Sequence, residues 1–116
     1  MSITRYQPGK RMSMGVAHGN TLYLAGQVAT DYDGSIEKQT AEVLATIDKL
    51  LAEAGTSKSK VLSVQVILNN IGDFAAMNSV YDTWIDPANP PARACIEARL
   101  AHPSLKVEII AIAALD

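Results

Sequence analysis

The sequence predicts an α+β fold in which two helices cover one face of a mixed β-sheet. Two stretches, beginning near Ile36 and Phe74, repeat apolar residues at helical spacing, with β-branched runs between and after them. Gly, Asn and Pro fall between these patterned segments, where turns belong. The final run, 106–114, is apolar on both parities, as a strand covered on both faces is.

Taken in order, Met12 to His18 and Thr21 to Ala25 read as two short strands joined by a two-residue turn at Gly19-Asn20. Gly26-Gln27 ends the second. From Ile36 the positions Val43, Leu44, Ile47, Leu50 and Leu51 follow one helical face, with Ser35 as N-cap and Gly55 as the stop. Val61 to Leu68 alternates as a half-buried strand, with Leu62, Val64, Val66 and Leu68 assigned inward. Asp73 precedes a second helix, Phe74 to about Ile85, whose inward face is Phe74, Met77, Tyr81 and Trp84. Pro87, Pro90 and Pro91 stop it, and Ala92 to Leu100 and Lys106 to Ala114 read as two strands around a loop holding His102-Pro103. The order is ββαβαββ. Two helices cover only one face of such a sheet, so the other face is expected to meet another subunit.

With 116 residues, 48% of them apolar and 19% charged, the chain suits one globular domain over residues 1–116 with one core. No apolar stretch reaches the ~18 residues of a membrane span, and no apolar run follows the first basic residues, so neither a membrane segment nor a secretory signal is expected. Cys95 is the only cysteine, which rules out an internal disulfide and a standard zinc site and fits a reducing cytoplasm. Ten Lys and Arg against twelve Asp and Glu give a net charge of −2 without a basic run. The footprint of a nucleic-acid binder is missing.

The polar residues that stand out lie in the C-terminal strands: Arg93, Cys95, Glu97, Arg99 and Glu108. Glu108 sits in an apolar strand, where burying a carboxylate is costly unless it is paired or tuned. Pattern alone favours an ordinary role for it, an ion pair with Arg93 or Arg99 or exposure at a sheet edge. Arg93 follows two prolines and Ala92, and its guanidinium suits a two-point grip on a carboxylate. Cys95 reads as a small apolar filler, His18 and His102 as surface residues, and Met12 and Met14 as core or cleft-lining groups.

Across nearly its whole length the chain resembles the Rid/YjgF family. The resemblance is strongest at Pro91-Ala92-Arg93-Ala94-Cys95-Ile96-Glu97, Leu100 and Lys106-Val107-Glu108-Ile109. It extends to Gly19-Asn20, Ala25-Gly26-Gln27, Asp73-Phe74, Met77-Asn78 and Tyr81, in the family's order. It implies a chorismate-mutase-like fold, a homotrimer with clefts between subunits, and no metal or organic cofactor. It also implies deamination of 2-imino acids or their enamines to 2-oxo acids and ammonia. Carried over, Arg93 would grip the substrate carboxylate, the main chain at Cys95 and Gly26 would contact the ligand, Asn78 would belong to the cleft wall, and Glu108 would position water. The chain has Met12 and Ala25 where the family's archetype has tyrosine and serine, so its cleft is expected to be more apolar and to favour larger imino acids.

A second reading is a non-catalytic trimer that binds a small carboxylate. A ribonuclease role, attributed to some relatives, fits poorly with the acidic charge balance. If the last two strands form a hairpin centred near Pro103, Arg93 pairs close to Ala113 and lies on the order of 13–20 Å from Glu108. One small substrate would then have to take the two side chains from different subunits.

Overall fold

A computed structural model describes all of residues 1–116. Its strands are β1 (Ile3–Tyr6), β2 (Gly15–His18), β3 (Thr21–Leu24), β4 (Gln27–Val28), β5 (Val61–Leu68), β6 (Ala92–Glu97) and β7 (Val107–Ala114). The helices are α1 (Ile36–Glu53), between β4 and β5, and α2 (Phe74–Trp84), between β5 and β6. All strands join one sheet in the order β1-β2-β3-β7-β5-β6, with β4 also paired to β7. Both helices pack on one face of this mixed sheet, as the sequence predicts.

The two-sided apolar pattern of β7 decides its place. It runs antiparallel to β3 and β4 along one edge and to β5 along the other. Val107, Ile109, Ala111 and Ala113 are buried beneath the helices, while Glu108, Ile110, Ile112 and Ala114 are half-buried on the open face. The core joins these residues to Val43, Leu44, Ile47, Leu50 and Leu51 of α1 and to Met77, Tyr81 and Trp84 of α2.

Local signals act where they were read. Ser35 accepts a hydrogen bond from the Lys38 N–H at 3.2 Å, capping α1. At the other end Gly55 takes φ +83, and the N–H groups of Gly55 and Thr56 donate to the carbonyls of Ala52 and Leu51, a Schellman closure. Gly19 has φ +61 at the first position of the β2–β3 turn, as a type II′ hairpin requires.

Five expectations are corrected. The last two strands are not a hairpin: β6 runs parallel to β5 at the sheet edge, and β7 lies on the far side of β5. The end of β5 ties both down, since the Ala98 N–H donates to the Leu68 carbonyl and the Asn69 N–H to that of Lys106. The doubly apolar strand takes the interior position, and β6, bearing Arg93 and Glu97, takes the edge. Arg93 therefore does not face Ala113, and β6 ends at Glu97 rather than Leu100.

Leu62 points outward and is 53% exposed. One extra residue enters β5 between Val61 and Ser63, so Val61 takes the buried position instead. The strand expected from Met12 begins only at Gly15, because residues 7–13 form a loop closed by the Met14 N–H on the Tyr6 carbonyl, and β1 supplies the partner strand. Phe74, at the first position of α2, is 42% exposed rather than buried.

A second insertion matters more. Tyr23 pairs with Ile112 and Gln27 with Ile109, so the β3–β4 side carries one residue more than β7 across the break at Ala25-Gly26. Buried positions change from Leu22 and Leu24 to Gln27 and Ala29.

The segment after β4 is held by Glu42 of α1, which accepts from the Thr30 N–H at 2.6 Å and the Thr30 hydroxyl at 2.9 Å. The Thr30 N–H contributes most to holding the Glu42 carboxyl below its ordinary 4.5. A carboxyl depressed in the folded state adds stability above its unfolded value, lost as pH falls through the folded value. Glu42→Gln is expected to be less stable than wild type at neutral pH, with the gap closing below about pH 4.5. Denaturant unfolding across that range checks it; a gap independent of pH would contradict it.

Candidate functional site

The residues singled out in the sequence fall into two groups, held by different elements. The first is built on β6 and α2. Side by side in a parallel pair, Arg93 shares a face with Val64 and Cys95 with Val66, so both point to the helix side of the sheet. There the Arg93 Nη1 donates to the Asn78 side-chain oxygen at 2.7 Å. Its guanidinium carbon lies 4.7 Å from the Tyr81 ring centroid and 5.7 Å from that of Phe74. Asn78 takes one N–H and leaves the others for a ligand. Arg93 is exposed.

The main chain beside it is also available. Because the Ala98 N–H bonds the Leu68 carbonyl, alternation along a parallel pair turns Ala94 and Ile96 toward β5. The N–H and C=O of Arg93, Cys95 and Glu97 then face outward from the edge. A carboxylate held by Arg93 would meet free main-chain donors and acceptors at Cys95. The thiol itself is a poor nucleophile, since burial pushes its pKa up and the Arg93 cation only partly opposes this.

The second group lies at the β3–β4 break. Glu108 pairs with Val28 and with Ile67, on the open face of the sheet. Gly26 lies directly against it: a β-carbon at Gly26 would overlap the Glu108 carboxylate. Ala25 is half-buried, donates its N–H to the Met14 carbonyl at 2.9 Å and accepts from the Gln27 amide at 2.9 Å. Met12, two residues before Met14, is 49% exposed in the β1–β2 loop, where it lines an open hollow with Lys10 and Arg11.

Within one chain the groups stay apart. Val64 lies beside Arg93 and Ala111, and Ile67 beside Ile96 and Glu108, so Arg93 and Glu108 are two strands and three residues apart, ~14 Å. They also sit on opposite faces, which removes any ion pair between them.

Glu97 and His102 serve the fold, while the side chains of Arg99 and His18 are exposed. Glu97 accepts from the Ile71 N–H at 2.9 Å, fixing the turn that leads into α2. His102 stacks against Tyr32 with centroids 4.2 Å apart, and its Nδ1 accepts from the Ser104 N–H. His, Cys, Asp and Glu form no group of three suited to a metal ion. No helix is long and apolar enough to cross a membrane. The rings around Arg93 were missed as a unit; the signal was the spacing of Phe74, Asn78 and Tyr81 on one helical stripe.

The contact at Gly26 has a measurable consequence. Gly26→Ala is expected to push the flexible Glu108 side chain out of its place at a modest cost, ~0.5–1.5 kcal/mol, and most of that loss should vanish in the Glu108→Ala background. Additive effects in this double-mutant cycle would place the two groups apart.

The family described as Endoribonuclease L-PSP matches residues 2–115. A RutC family protein of Haemophilus influenzae is 45% identical over 114 residues, covering 97% of this chain and 98% of the relative. A crystal structure of a YjgF family member from Neisseria meningitidis superposes with a TM-score of 0.97 at 40% identity, covering 100% of this chain and 97% of that one. An uncharacterized Pseudomonas aeruginosa protein gives a TM-score of 0.96 at 41% identity, with coverage of 99% and 100%. Fold and sequence agree over the full length, and the chain belongs to the Rid/YjgF family.

Proposed function

We propose that this protein hydrolyses 2-imino acids, or the enamines in equilibrium with them, to 2-oxo acids and ammonia. Arg93 carries the reading: an exposed guanidinium, steadied by Asn78, beside outward-facing main chain at Cys95. That arrangement suits a carboxylate next to a reacting carbon. Glu108, with Gly26 against its carboxylate, is the general base and acid.

The chemistry asks little of the protein. Water adds to the imine carbon as Glu108 takes one of its protons and passes it to the imine nitrogen, giving a neutral carbinolamine. Glu108 then takes the carbinolamine's hydroxyl proton and delivers it to the amino nitrogen as the C–N bond breaks, so ammonia leaves and the former water oxygen becomes the carbonyl of the 2-oxo acid. Holding the carboxylate brings the imine carbon to the water and removes orientational freedom. Arg93 and Glu108 lie on opposite faces of one sheet, so the working cleft joins Arg93, Asn78 and Cys95 of one subunit to Met12, Ala25, Gly26 and Glu108 of a neighbour in a homotrimer. The half-buried apolar residues Ile110 and Ile112 give the open face a reason to associate. A net charge of −2 suits a soluble cytoplasmic enzyme of small metabolites better than one acting on a polyanion.

The test is an amino-acid oxidase reaction that releases imines, with semicarbazide competing for them. Wild type is expected to suppress semicarbazone formation. Arg93→Ala should abolish this, and Arg93→Lys should restore little, since an ammonium lacks the planar grip. Cys95→Ala should keep most of it, because the contact there is main chain. Failure of wild type with every amino acid in a panel would replace the enzyme reading with that of a carboxylate-binding protein.

A further inference from the structure

We infer that Tyr81 and Phe74 are positioning residues for Arg93, forming an aromatic clamp that fixes the guanidinium before a ligand arrives. This rests on Arg93 being the carboxylate anchor.

Phe74, Asn78 and Tyr81 recur at four- and three-residue spacing, so α2 presents them as one stripe toward β6. Each meets the same guanidinium: Tyr81 at 4.7 Å and Phe74 at 5.7 Å from centroid to carbon, Asn78 by the 2.7 Å hydrogen bond. Both rings are within the reach at which an aromatic quadrupole attracts a cation. Tyr81 is rigid, being 6% exposed in the core and tilted against Trp84 with centroids 5.7 Å apart. The Glu97 carboxylate, on the same face of β6 as Arg93, secures the Ile71 N–H in the turn before Phe74 and so sets the start of α2.

A free arginine on an edge strand would lose rotamer freedom on gripping a carboxylate. Here the loss occurs during folding. The rings supply attraction without competing hydrogen-bond acceptors, and an acidic side chain in their place would occupy the donors the ligand needs. Burial raises the Tyr81 phenol pKa and the Arg93 cation partly opposes it, consistent with the two groups sensing one another.

The test measures binding of 2-oxobutyrate, a product-class carboxylate, by calorimetry, together with steady-state deamination. Wild type should bind and Arg93→Ala should not. Phe74→Leu and Tyr81→Leu should each weaken binding about three- to tenfold and raise KM more than they lower kcat. Tyr81→Phe, which keeps the ring, should bind like wild type. Phe74 is half-exposed, so its leucine variant remains informative if Tyr81→Leu fails to fold. If Arg93→Ala loses binding while Phe74→Leu binds like wild type, the clamp is wrong and the anchor stands. If wild type and Arg93→Ala behave alike, the anchor falls and the clamp with it.

Discussion

Successive side chains of a β-strand leave on opposite faces, and the geometry of this chain follows from that alternation. Arg93 shares its face with Val64, beneath the helices; Glu108 alternates with Val107 and Ile109 and so emerges on the other side. Neither can change face without a register slip that would expose a core residue. The two groups assigned to the proposed reaction are separated by the sheet itself. A reaction that uses both takes them from two copies of the chain.

The same alternation leaves a second apolar surface. Ile110 and Ile112 on β7, Ile67 on β5 and the half-exposed Tyr23 on β3 line the face that no helix covers. Glu108 lies in that face beside Gly26. An interface that buries the isoleucines would also withdraw Glu108 from bulk water, which raises the influence of whatever charge faces it. On the proposed reading, association and assembly of the cleft are one event.

Much of this was legible because single residues carry local rules. Ser35 capped α1, Gly55 closed it, Gly19 made the turn, and the double-sided pattern of β7 announced a strand with work on both faces. What escaped was non-local. A hairpin is the default for adjacent strands, yet β6 and β7 are separated by β5, because strand order depends on which edge can be left unpaired. Leu62 and the Ala25-Gly26 break were hidden for a related reason: one inserted residue reverses every inward assignment beyond it. Two adjacent apolar residues, Val61 and Leu62, were the available sign of the first. At the candidate site, resemblance named the residues; the separation of Arg93 from Glu108 was expected from a hairpin register that the fold does not have and follows instead from strand parity across β5, and the rings around Arg93 were missed although their helical spacing was in plain view.

The most direct measurement mixes Arg93→Ala protein with Glu108→Gln protein, each inactive alone, under conditions verified to exchange subunits. In mixed assemblies some clefts join an intact Arg93 from one chain to an intact Glu108 from its neighbour. Deaminase activity should reappear in the mixture and rise with the extent of exchange. Activity that stays at the level of the unmixed variants after complete exchange would contradict a site shared between subunits.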